Sequence, residues 1–156
     1  MIIPLQIVRK TDKNEKEHVF CSVTALLSCR KPHFFQGNIQ LMVDTGATME
    51  CCVTDNDAEI MNLSFGGRGV TKLPEDQQPK AWSGSLETYT IKNVAIRCRG
   101  KEGKKDVLFS SEIEECHIAK GVPKGLPSVL GTRFLISNNL KLVFSPNDDV
   151  AYLEQI

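Results

Sequence analysis

The sequence predicts a mainly β domain with one or two short helices. Three observations lead there. Short runs rich in β-branched and aromatic residues recur along the 156-residue chain. Clusters of Gly, Pro, Asn and Asp fall between them, and only two segments carry helix-start signals. Runs of this length and spacing belong to a barrel or a sandwich. The chain length fits a single domain, 1–156, able to bury a core of its own.

The runs cover residues 5–8, 19–27, 39–43, 49–53, 86–98, 107–109, 140–144 and 150–153. Arg30, Lys31 and Pro32 through Gly37 and Asn38 separate the second run from the third, and Ser145, Pro146, Asn147, Asp148 and Asp149 separate the last two, so both pairs read as hairpins. Thr54 or Asn56 is placed to cap a helix reaching Leu63, with Asp57 or Glu59 three residues on to complete a capping box. A second helix of one or two turns is expected from Thr132 to Ser137, stopped by Asn138 and Asn139. From Ser64 to Gly84 the chain turns polar and takes in Gly66, Gly67, Gly69, Pro74 and Pro79, which marks a long excursion outside the core.

Composition removes several function classes. Lys plus Arg and Asp plus Glu stand at 19 each, so no global field draws the chain to nucleic acid or to an acidic membrane. The aromatic content of 6% gives an oligonucleotide-binding barrel few stacking platforms. Cys21, Cys29, Cys51, Cys52, Cys98 and Cys116 show no CxxC spacing, and His18, His33 and His117 are scattered, so no metal site is readable and free thiols in a reducing compartment are expected. The apolar start ends at Arg9 and Lys10 without a basic leader or a cleavage site, and no apolar run is long enough for a membrane span. The expectation is a soluble, cytoplasmic protein.

The chemistry-bearing stretch is Leu41, Met42, Val43, Asp44, Thr45, Gly46 and Ala47, an apolar strand ending in a carboxylate, a hydroxyl and a glycine. It resembles the active-site motif of aspartic proteases. Further along, Ser128, Val129, Leu130, Gly131 and Thr132 put two apolar residues and a glycine before a short helix. That resembles the second fingerprint of the retroviral (retropepsin-like) protease family, and the order of elements between the two motifs is also that family's.

The resemblance implies a closed β barrel of the retroviral type. It also implies an aspartic endopeptidase acting on extended polypeptide, with neither cofactor nor metal. That chemistry uses a water held between two carboxylates that share one proton. Asp-Thr-Gly occurs once in this chain, so the second Asp44 must come from a second copy across a two-fold axis. By the same resemblance the Thr45 hydroxyl reaches the partner's backbone, Gly46 lets amides approach the carboxylates, and Ala47 completes the loop. Val129, Leu130 and Gly131 support that loop from behind.

A flap hairpin is implied over the excursion, with two candidates for its tip: Gly66, Gly67, Arg68 and Gly69, or a longer hairpin carrying Trp82, Ser83 and Gly84 on its return. Trp82 is read as packing against the body rather than touching substrate. Two departures bear on the dimer. Thr48 stands where the family has an acidic residue, and Arg133 has no identifiable acidic partner. In the family the terminal strands interleave across the interface, and residues 2–8 and 150–156 are the segments available for that. The rival reading is a silent retropepsin-like dimerisation or peptide-binding module; an intact Asp44-Thr45-Gly46 favours the enzyme.

Overall fold

A computed structural model of the chain describes residues 1–78, 80, 81 and 84–156. The order is β1 (Ile2–Pro4), β2 (Gln6–Thr11), β3 (Glu17–Cys29), β4 (Phe35–Val43), β5 (Cys51–Thr54), α1 (Asp55–Ile60), β6 (Thr71–Lys72), β7 (Lys80–Ala81), β8 (Gly84–Ser85), β9 (Thr88–Glu102), β10 (Lys105–Ala119), β11 (Ser128–Leu130), α2 (Thr132–Ser137), β12 (Leu140–Ser145) and β13 (Val150–Gln155). The fold is mainly β, at 55% strand against 12% helix. Among the described residues no helix is long and apolar enough to cross a membrane.

Strand pairing runs β12-β13-β1-β9-β10-β5-β11-β4-β3-β2, and β9 also pairs with β3, so β3, β4, β11, β5, β10 and β9 close a ring. The core fills that ring with alternating residues: Ala25, Leu27 and Cys29 from β3, Ile39, Leu41 and Val43 from β4, Ile96 and Cys98 from β9. The alternation follows from the strand period of two. Both expected hairpins form, β3 with β4 and β12 with β13. Thr54 caps α1, its Oγ1 accepting from the Asp57 amide at 3.2 Å.

Two expectations need correction, and the pairing of the terminal strands is a third finding. Gly37 and Asn38 are not turn residues but lie inside β4, opposite Leu27 and Leu26. A Cβ on Gly37 would stand 2.8 Å from Cγ of the fully buried Met61, so the glycine serves close packing of the residue that ends α1. The short run at 107–109 lies near the start of a 15-residue strand, β10 (Lys105–Ala119), which pairs with β9 over nearly its whole length. The terminal strands pair within the chain, Ile3 opposite Leu153 and Pro4 opposite Tyr152, with β1 also reaching β9. Both strands therefore have partners within the chain at these positions.

All six cysteines are free, and five are buried. Cys51 and Cys116 face each other on β5 and β10. The neighbouring Cys116 thiol, and then burial, hold the Cys51 thiol well above its ordinary value. Burial pushes Cys52 up to about 12 and Cys98 up to about 11. In the unfolded chain these thiols ionise from about pH 8.5. There the unfolded state releases protons that the folded state keeps, so stability is complete below that pH and falls as pH climbs through about 11 to 12. Denaturant midpoints measured across this range should fall steadily, and Cys98→Ser should make the fall shallower. A midpoint that stays level from about pH 8 to pH 11 would contradict this account.

Candidate active site

β4 carries the chain to Asp44. Leu41 and Val43 point into the core, and the residue after them leaves the strand, so its carboxylate emerges half-buried at the strand's end. The next residues form a tight turn. The Ala47 amide donates to the Asp44 carbonyl at 3.2 Å, and the Gly46 amide donates to Asp44 Oδ1 at 2.8 Å. Asp before Gly forms such a turn because the short side chain replaces a backbone acceptor. Thr45 and Gly46 are exposed, and Ala47 is half-buried.

The loop is held from behind by β11, which lies between the two strands flanking the loop. It runs parallel to β4, with Val129 opposite Met42 and Leu130 opposite Val43, and antiparallel to β5, with Leu130 opposite Cys51. Leu130 is buried and Val129 is partly so. Main-chain bonds then link the two segments: Asp44 N to Leu130 O at 2.9 Å, Gly131 N to Glu50 O at 3.0 Å, and Thr132 N to Ala47 O at 2.8 Å. The Thr132 hydroxyl adds a bond to Thr45 O at 2.8 Å. Gly131 is required by this closeness. A Cβ there would run into the Met49 carbonyl and stand 2.7 Å from the Ala47 carbonyl.

Two polar side chains without an assigned role in the sequence reading complete the support. Ser128, wholly buried, accepts from the Thr54 amide at 3.0 Å and donates to Asp57 Oδ2 at 2.5 Å, tying β11 to the first turn of α1. Glu50, 8% exposed, accepts from the Glu114 amide at 2.8 Å and the Glu115 amide at 3.4 Å, and from the Ser137 hydroxyl at 3.4 Å. The β9–β10 ladder skips one pair here, Glu114 with Asn93, where Asn93 is left-handed with φ 63°. A carboxylate two residues beyond Thr48, directly before the apolar run Cys51, Cys52 and Val53, was the available signal.

The flap candidates separate. Gly66, Gly67, Arg68 and Gly69 form turns closed by Gly67 N to Ser64 O and Val70 N to Gly67 O, and they lie on the β3–β4 turn, Gly67 against His33 and Gly69 against Pro32. That contact packs the stretch against the β3–β4 turn. The hairpin within the excursion is β7 with β8, where Gly84 pairs with Ala81. Trp82 and Ser83, between them in sequence, lie outside the described residues. Thr48 and Arg133 are both exposed.

Chemically the site presents one half-buried carboxylate. Among the described residues it takes a hydrogen bond from the Gly46 amide, and no group of three or more His, Cys, Asp or Glu is gathered to hold a metal. One carboxylate can accept a proton from water, but it cannot alone supply both partners of a proton-sharing pair. Comparison with models of protein families gives no match, and comparison with curated proteins gives none either.

Two substitutions test the support. Gly131→Ala sets a methyl group against rigid carbonyls and should cost about 3 kcal/mol, at the high end of overpacking. Ser128→Ala strands the Thr54 amide and should cost about 1–3 kcal/mol. Denaturant unfolding measures both. A loss under about 0.5 kcal/mol for Gly131→Ala would show that the two segments are not clamped together as described.

Proposed function

We propose that this protein is an aspartic endopeptidase of the retropepsin-like kind, with an active centre assembled from Asp44 of two identical subunits. The observation that carries the reading is the position of Asp44. It stands at the end of a core strand, in a turn that fixes one oxygen through the Gly46 amide, on a loop clamped by β11 and the start of α2. In this reading the six-strand ring is the barrel of the retroviral type. Thr45, exposed beside Asp44, bonds across the two-fold axis. An extended polypeptide lies over the paired carboxylates, one of which accepts the water's proton while the other protonates the substrate carbonyl. The β7–β8 region is the flap. Six free thiols favour a reducing, cytoplasmic setting.

A turn aspartate of purely structural use would need no clamp on both sides of its loop. This counts against the silent-module reading, in which the fold only binds peptide.

The test uses a peptide library and an Asp44→Asn control. Cleavage should occur with the wild-type chain and vanish with the variant. Wild-type and Asp44→Asn chains refolded together, well above the dimer dissociation constant, should show activity following the square of the wild-type fraction, because only wild-type pairs hold two carboxylates. A straight-line dependence, with partner exchange verified by mass, would show a complete site in each chain and overturn the shared-site reading.

A further inference from the structure

On the outer side of the sheet, β4 lays down a line of residues that leads to Asp44. Its buried positions are Ile39, Leu41 and Val43, so the strand period turns Gln40 and Met42 outward. Gln40 stands about 13 Å back from Asp44 along the strand, at about 3.3 Å per residue. There a cleft of about 400 Å³ opens between β4, the start of α1 and the loop that leads into β11. Ligand pockets run from about 300 to 1,000 Å³, so the cleft is large enough to take a side chain with its backbone.

The walls of the cleft are fixed. Ser128 pairs with Leu41, so Pro127 runs beside Gln40. Ser128 also donates to Asp57 and accepts from the Thr54 amide, which holds α1 against the same loop. Gln40 Nε2 donates to Ser22 Oγ at 2.8 Å and to Gln6 Oε1 at 3.1 Å, which uses both amide hydrogens and leaves Gln40 Oε1 as an acceptor. Leu126, 41% exposed, gives the rim an apolar surface.

The charges in the cleft are unbalanced. Lys10 and Lys124 both line it and both are exposed. They come from opposite flanks of β4, Lys10 from β2 and Lys124 from the loop before β11. Among the described residues neither ammonium makes an ion pair. The Lys10 ammonium lies 5.8 Å from the Phe20 ring centroid, a weak contact at an exposed site that a carboxylate can displace. The one carboxylate lining the cleft, Asp57, already accepts from Ser128. In a chain whose charges sum to zero, this is a local positive excess.

We propose that this cleft is a second recognition site for the polypeptide substrate, taking a carboxylate side chain about four residues from the bond cut at Asp44. The proposal rests on the endopeptidase reading above and adds a substrate class, polypeptides that are acidic at that distance. An extended chain covers about 13 Å in four residues, which matches the run from Asp44 back to Gln40. The carboxylate lies between the two ammoniums, whose long stems let them close on it from both flanks. The neighbouring backbone amide donates to Gln40 Oε1, and Leu126 and Pro127 cover the aliphatic part of the side chain.

The test uses the full chain and two probes, acetyl-tetraglutamate amide and acetyl-tetraglutamine amide, which match in shape and differ in charge. In NMR titrations the tetraglutamate should shift the Gly125 and Leu126 amides and the Gln40 side-chain amide, with a Kd at least tenfold lower than that of the tetraglutamine. Lys10→Gln combined with Lys124→Gln should raise the tetraglutamate Kd at least tenfold. Equal binding of the two probes, shifts that miss the cleft, or an affinity unmoved in the double variant overturns the site. Inorganic phosphate that displaces the tetraglutamate at equal concentration marks an adventitious ion only and overturns it too. Should the double variant fail to fold, the two probes on the wild type decide alone.

Cleavage separates this proposal from the reading it rests on. In a peptide library cut through Asp44, Asp and Glu should be enriched about four residues from the cut bond. The double variant should lower the ratio of kcat/KM for a Glu peptide to that for its Gln counterpart at least fivefold. Cutting without an acidic preference at that distance overturns the cleft site and leaves the protease standing. Tetraglutamate bound at the cleft of a chain that cuts nothing supports the acidic site and removes the protease.

Discussion

The insertion of β11 between β4 and β5 is the constraint on which the rest of the structure depends. The two strands diverge after Val43 and before Cys51, and the gap admits one extended segment. What fills it must be apolar at Leu130, must lack a side chain at Gly131, and must offer main-chain groups on both sides. Three of those groups engage Asp44, Ala47 and Glu50. The turn around Asp44 is therefore braced at its beginning, middle and exit by a segment remote in sequence. A turn with only its own Asp-Gly chemistry would keep its shape far less firmly.

Buried polar groups link this brace to both helices. Ser128 connects it to α1 through Asp57 and the Thr54 amide, and Glu50 connects the exit of the loop to β10 and to Ser137 of α2. Each removes an unpaired donor from the interior, where an unmade bond costs more than a made one contributes. Side-chain hydrogen bonds thus tie the clamp to both helices.

Much of this was legible in the residues. The turn after the strand that ends at Val43, a cap at Thr54 as one of the two residues expected there, and the extent of α2 followed from local chemistry, since caps, turns and strand ends depend on near neighbours. The rest was hidden for physical reasons. Buried positions in β10 run Phe109, Ile113, then Cys116 and Ile118, because the alternation shifts by one residue where Asn93 turns left-handed on the paired strand. A period-two reading breaks there. Gly37 mimicked a turn because its role is to admit Met61, a contact between distant residues. The intramolecular pairing of the termini was invisible because it depends on which edges other strands leave open. The Glu50 bond to β10 likewise depends on an irregularity elsewhere in the sheet.

The brace also sets an order of events in folding. Residues 128–130 meet partners at 41–43 and 51–52, and closing such long stretches of chain costs entropy that no nearby contact offsets beforehand. The hairpin of β3 and β4 can zip from its own turn, but the gap beside it stays open until the last third of the chain has arrived. During synthesis the chain passes through a stage in which β4 exists and Asp44 has no fixed turn. A nascent chain at that stage holds Asp44 without its braced turn, which is complete only once residues 128–132 have joined it.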